Sequence, residues 1–153
     1  MSYEVEVRTV GPVPLAAVRR RVPPGGVAVA WGPALDLVWS FIRGQDGLWS
    51  GGHNAFVYRQ SVRRDDLMTV DFGVEVVRSF IGDGVVMPVE IPAGRVVSTR
   101  HVGPIEDLGN AHAALQAWLV AHGETATGVS WETYGDWGPD PVTWEVTLTY
   151  LLG

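Results

Sequence analysis

The chain contains no cysteine, which excludes disulfides, thiolate metal centres and a cysteine nucleophile. Charge is scarce as well. Only 18% of the 153 residues are charged, below the usual quarter, so little of the chain is spare solvated surface. Basic residues are the minority, 11 against 17 acidic, for a net charge of -6. Nucleic-acid binding by counterion release needs clustered Lys and Arg, so this balance argues against a direct nucleic-acid partner. The one basic run, Arg19-Arg20-Arg21, would alternate between faces of a strand and reads as a solvated or salt-bridged edge.

No apolar run approaches the roughly 18 residues that a membrane helix needs. The N-terminus, Met1-Ser2-Tyr3-Glu4-Val5-Glu6, lacks a basic region followed by an apolar stretch. A soluble cytoplasmic protein with no membrane partner is expected. Motifs for metal or cofactor chemistry are missing too. No His-Glu-x-x-His spacing occurs, and His112 and His122 are not on adjacent turns of their helix, so no metal is expected. Gly51-Gly52 and Gly82-Asp83-Gly84 read as turns, because no Lys-Ser/Thr follows them, and no cofactor is expected. No nucleophile-elbow motif supports a Ser-His-Asp triad.

What is present is apolar and aromatic. Hydrophobic residues make up 46% of the chain, mean hydropathy is +0.12, and seven residues are tryptophan. That composition and length fit one folded globular domain. Two stretches then repeat at a fixed offset. The first is Gly52-His53-Asn54-Ala55-Phe56-Val57-Tyr58, followed by an alternating run from Met68. The second is Gly128-Val129-Ser130-Trp131-Glu132-Thr133-Tyr134, followed by a run from Trp144. Arg100-His101-Val102-Gly103-Pro104 likewise echoes Arg20-Arg21-Val22-Pro23-Pro24. Internal similarity of this kind implies two related halves, about 1–80 and about 85–153, joined at a pseudo-twofold axis. The copies differ most where Phe56 in the first becomes Glu132 in the second.

Within each half the periodicities name the elements. Tyr3, Val5 and Val7 alternate with Glu4, Glu6 and Arg8 as in a half-buried strand, and residues 15–22 form the next strand. Residues 33–43 are helical: Pro33 suits the first turn, Leu35, Val38, Trp39 and Ile42 share one face, and Gly44 ends it. Residues 54–60 and 68–76 are strands joined by a polar connection containing Arg63, Arg64, Asp65 and Asp66. The second half gives a strand at 94–102, a helix at 107–122 closed by Gly123, and strands at 128–135 and 142–152. The predicted fold class is α+β: a tandem βαββ pseudo-twofold repeat, with two helices on one face of a curved antiparallel sheet and a central groove.

With these motifs in this order, the sequence resembles the GyrI-like small-molecule-binding domain, also called the AraC effector-binding domain. The resemblance rests on Trp131-Glu132-Thr133-Tyr134, Asp140-Pro141-Val142-Thr143-Trp144, His101-Val102-Gly103-Pro104 and the strand Asp71-Phe72-Gly73-Val74-Glu75-Val76. One departure is Leu151, near which many members carry a proline. The resemblance implies a groove at the pseudo-dyad and assigns the family's ligand-facing glutamate to Glu132. In multidrug-sensing regulators such a domain follows a DNA-binding segment. None precedes the first strand here, so a stand-alone member is expected.

Strand alternation puts Asn54, Phe56 and Tyr58 on one face with Ser130, Glu132 and Tyr134, while Trp131 and Thr133 point the other way. An aromatic floor of Phe56, Tyr58 and Tyr134 around one acid suits a hydrophobic, preferably cationic, small molecule. Trp39, Trp49, Trp131 and Trp137 are the wall candidates, and Trp137-Gly138-Pro139-Asp140 is a candidate lid. His53 adjoins the same face. Each residue also has a plainer role: Glu132 as an exposed strand residue, the tryptophans as core, the tyrosines as internal hydrogen-bonders.

Three functions follow. The first is a small-molecule-binding protein for multidrug binding, sequestration or sensing. The second, implied by stand-alone relatives that hydrolyse cyclopropane-bearing genotoxic electrophiles, is a hydrolase with Glu132 as general base and Tyr58 or Tyr134 as hydrogen-bond donor. The third is an inhibitor-type module for a basic protein partner, which the acidic charge would suit.

Overall fold

The computed structural model describes residues 2–60 and 67–153. The connection expected at Arg63 to Asp66 lies outside them. Among the described residues the elements are β1 (Val5–Val10), β2 (Val13–Val22), α1 (Val27–Arg43), β3 (Asn54–Arg59), β4 (Met68–Glu75), β5 (Met87–Ile91), β6 (Gly94–Val102), α2 (Leu108–His122), β7 (Ala126–Tyr134) and β8 (Glu145–Leu152). All eight strands join one sheet in the order β1-β6-β8-β7-β3-β4-β2-β5, with every pair antiparallel.

Exchanging each strand for its counterpart in the other half reverses that order onto itself, so the pseudo-dyad lies between β3 and β7. The exchange also shows how the halves interlock. β1 precedes β2 in sequence yet pairs with β6, and β5 precedes β6 yet pairs with β2. Each half therefore lends its outermost strand to the other. β5 had no counterpart in the sequence reading, which gave the second half only β-α-β-β. Five residues with Pro88 inside and Met87 exposed show little alternation, and an edge strand tolerates both.

The helices lie on one face. α1 packs Ala34, Leu35, Val38 and Ile42 onto Val70, Phe72 and Val74, the apolar side of β4, and onto Val76 just beyond it. It begins six residues before the predicted start, so Pro33 sits inside it. Pro33 withholds its hydrogen bond from the carbonyl of Val29, a residue 81% exposed, so water can satisfy the freed oxygen. α2 packs Ala111 and Leu115 onto Val97, Leu148 and Tyr150, and Gly123 ends it in the left-handed conformation, φ 62°. No helix is long and apolar enough to cross a membrane, among the described residues.

The reverse face closes on itself. Leu15 and Ala17 of β2, Val57 of β3, Trp131 of β7 and Val96 of β6 share one cluster there. β2 and β6 lie far apart in the sheet order, so their meeting requires strong curvature. Asp71 is fully buried on this face, held by Arg19 through two bonds of 2.6 and 3.0 Å and by Arg59 at 3.3 Å. β5 covers only Val13–Ala17 of β2, so the arginine run lies beyond its reach, and Arg19 is salt-bridged. The motif His101-Val102-Gly103-Pro104 ties the N-terminal segment of the first half to the second. His101 is buried, its Nε2 2.9 Å from the Pro104 carbonyl and its Nδ1 2.8 Å from the Tyr3 hydroxyl. A carbonyl only accepts, so Nε2 carries the proton and Tyr3 donates to Nδ1.

Candidate functional site

The site grows from the register at the pseudo-dyad. Phe56 lies directly opposite Glu132 across β3 and β7, with Ala55 opposite Thr133 and Val57 opposite Trp131. Directly opposed residues of an antiparallel pair project to the same side, so Phe56 and Glu132 both face the helices. Two residues further along each strand stand the equivalents Tyr58 and Tyr134. Because Glu132 sits beside the axis, both reach it. Tyr58 donates to Oε1 at 2.6 Å and Tyr134 donates to the same oxygen at 2.5 Å.

Glu132 is 5% exposed. Two charge-assisted bonds, each worth about 1.5–3 kcal/mol, offset the cost of holding a carboxylate away from water. Burial first, and the Glu132 charge second, push both phenols well above their ordinary range, so they remain donors. The other oxygen, Oε2, lies 3.6 Å from His112 Nε2 on α2. His112 Nδ1 is 2.7 Å from the Tyr150 hydroxyl of β8, whose pKa is also raised by burial.

These groups border a cavity of about 430 Å³ between α2 and the strands β3, β7 and β8. Tyr58 and Tyr150 give it aromatic surface, and Met68, Leu119 and Val129 give it apolar walls. Gln60, His112, Gln116, Ser130 and Glu132 supply the polar groups. β7 is irregular where it borders the cavity. Pairing of β7 with β8 is interrupted between Ala126 and Ser130, where Gly128 adopts φ 93° and its carbonyl accepts from Gln60 N–H at 3.1 Å. A bulge of this kind bends the strand away from its neighbour.

The residues singled out from sequence divide. Tyr58 and Glu132 line the cavity, and Tyr134 backs Glu132. Phe56 is instead core, packed edge-on against Phe72 at 4.9 Å and tilted against Tyr134 at 4.8 Å. Trp131 belongs to the reverse face, because neighbouring residues of a strand point opposite ways. Trp39 and Trp49 form their own edge-on pair at 5.3 Å, with the Trp49 indole donating to the Gly52 carbonyl. His53 faces Asp136 at 3.7 Å, and the buried Oδ1 of Asn54 has no hydrogen-bond partner among the described residues.

Trp137 stacks on Trp144 at 4.3 Å and donates to the Glu145 carbonyl, while Trp144 donates to the Gly138 carbonyl. The candidate lid is thus tied back to β8 and borders none of the cavity. Sequence reasoning passed over His112, Gln116 and Tyr150. A signal existed in the spacing: His112 and Gln116 stand one turn apart, each next to a buried residue of α2, Ala111 and Leu115.

With this geometry in place, the family model for the GyrI-like small molecule binding domain matches residues 3–148. The chain belongs to the GyrI-like family. The GyrI-like fold recurs in the C-terminal domain of EcmrR, with a TM-score of 0.82 and 21% identity over 100% of this chain and 99% of that one. SAV2435, solved bound to tetraphenylphosphonium, matches with a TM-score of 0.75 and 10% identity over 100% and 94%. A hydrolase from Listeria innocua matches with a TM-score of 0.67 and 13% identity over 98% and 92%. At such identities these likenesses carry the GyrI-like fold alone. No curated protein sequence matches.

Proposed function

We propose that the chain takes up hydrophobic, cationic small molecules in the cavity beside α2, with Glu132 as their counter-charge. The observation that carries this reading is a carboxylate 5% exposed, bonded by two tyrosine hydroxyls on one oxygen, in the wall of a largely apolar cavity. Fixed donors hold the charge in place, so little reorganisation is needed when a cation arrives. The ring faces of Tyr58 and Tyr150 would each add about 0.5–2 kcal/mol of cation–π attraction. The volume lies within the ordinary range for small-molecule pockets. Tetraphenylphosphonium on SAV2435 belongs to the same ligand class.

Calorimetric titration with tetraphenylphosphonium tests the reading. Glu132→Gln should weaken binding by about 30-fold or more, the lower end for loss of a buried charge partner. Equal affinity in wild type and Glu132→Gln would overturn it.

A second reading, hydrolysis of electrophilic cyclopropane compounds, is favoured by one feature: Oε2 of Glu132 carries neither tyrosine bond. That oxygen would take the proton of a water whose oxygen bonds to a ring carbon, while the cyclopropane C–C bond breaks and its electron pair moves onto the oxygen of the conjugated carbonyl. Both tyrosine protons already point to Glu132, so stabilising a developing oxyanion would fall to another donor. Turnover of such a compound by wild type, lost in Glu132→Gln, would establish it.

A further inference from the structure

We propose that His112 is the resident counter-charge of Glu132 and that an entering cation takes its place, so that binding releases a proton. The inference deepens the binding reading and rests on it. Oε1 of Glu132 is occupied by the Tyr58 and Tyr134 hydroxyls, which leaves Oε2 for His112 Nε2, 3.6 Å away, and for any ligand. His112 and a bound cation therefore compete for one oxygen.

The surroundings of His112 accommodate both of its charge states. The neutral ring accepts the Tyr150 proton at Nδ1, over 2.7 Å, and turns Nε2–H towards Glu132. When the ring is protonated, Nδ1–H donates to the Tyr150 oxygen instead. Tyr150 also meets Gln116, whose amide carries a donor and an acceptor, so a turn of that amide lets its oxygen receive the freed hydroxyl proton. Neither state strands a buried polar group. Histidine is the side chain that ordinarily changes charge between about pH 5 and 8.

Among the described residues that border the cavity, His112 is the imidazole. Tyr58, Tyr134 and Tyr150 are all raised and stay protonated. On the elements packed with α2, Tyr3 bonds His101, Arg8 lies near Glu6, Arg95 pairs with Glu124 and Arg100 with Glu145. Glu4, Glu106 and Asp107 complete that set, and His122 faces the Trp118 carbonyl on α2 itself. None of these borders the cavity. With His112 protonated the pair sums to zero and a cation meets an occupied oxygen. With His112 neutral it meets a net negative site. Linkage makes the effect reciprocal, so cation binding expels the proton.

The experiment is titration of tetraphenylphosphonium, which has no proton of its own, at pH 8 and pH 5.5 in buffers of differing ionisation enthalpy. Wild type should bind about five- to tenfold more weakly at pH 5.5, at the lower end of ordinary couplings. It should also release a measurable fraction of a proton near pH 6. His112→Asn should bind with little pH dependence and no buffer-dependent heat, and His112→Gln serves if that variant folds poorly. The inference is overturned if wild type exchanges no proton, or if the histidine variants keep the same pH dependence, which would assign it to Glu132 itself. In either case the binding reading stands. Absence of binding by wild type at pH 8 overturns both.

Discussion

Phe56 and Glu132 are equivalents in the two halves and also direct partners across β3 and β7, so the pseudo-twofold axis passes between them. The flanking pairs obey the same symmetry: Ala55 meets Thr133, the equivalent of Val57, and Val57 meets Trp131, the equivalent of Ala55. A single substitution beside the axis thereby gains two symmetry-related neighbours at once, which is why one carboxylate oxygen collects both Tyr58 and Tyr134.

Glu132→Gln should change stability by less than about 1 kcal/mol, because a glutamine oxygen still accepts both tyrosine protons. Tyr58→Phe and Tyr134→Phe should each cost about 1.5–3 kcal/mol in the wild-type background and markedly less beside Glu132→Gln. Urea unfolding of the single and double variants measures this coupling. Simple additivity would show that the short bonds contribute nothing particular to the carboxylate.

The same tyrosines set an alkaline limit. Below about pH 10, the ordinary phenol value, folded and unfolded chains both hold these protons and stability is flat. Above it the unfolded chain sheds protons that the folded chain keeps, so unfolding is favoured. Each tyrosine should add a loss of about 1.4 kcal/mol per pH unit. Unfolding series between pH 9 and 11 should therefore steepen above pH 10, and less so in Tyr58→Phe.

On the reverse face, removing both guanidinium groups from Asp71 would leave a fully buried carboxylate without its ion pairs. Arg19→Ala with Arg59→Ala should lower stability by about 3 kcal/mol or more, as for other broken buried pairs. Cation binding beside α2 should survive in the fraction that remains folded. Thermal unfolding of the double variant tests the first point and titration the second.

Gly128→Ala isolates the bulge. A Cβ there would lie 3.5 Å from Gln60 Cβ, an ordinary contact, so the expected cost comes from φ 93° alone. It should be about 1–2 kcal/mol by thermal unfolding. Gly25→Ala, at φ 77° in the turn before α1 and outside the cavity lining, is the matched control. Only Gly128→Ala should also alter ligand affinity.

The repeat was legible because equivalent strands keep the same period-two pattern, as the alternation of β4 onto α1 shows. Glu132 and Tyr58 could be placed on one face from that pattern alone. The tryptophans could not be placed, since an indole suits core and cavity equally. Trp39 and Trp137 found other rings as partners. His112 and Tyr150 escaped notice because they lie on α2 and β8, and nothing local announces that those elements converge on Glu132.

By itself, the order of residues determined which side chains share a face and that one half carries an acid where the other carries a ring. Those are consequences of fixed backbone periods acting over a few residues. Only the tertiary structure decided that β1 and β5 trade places, that β7 bulges at Gly128, and that an imidazole stands beside the carboxylate. Such outcomes depend on how far the sheet curves and where a helix comes to rest on it, and these follow from packing summed over the whole molecule.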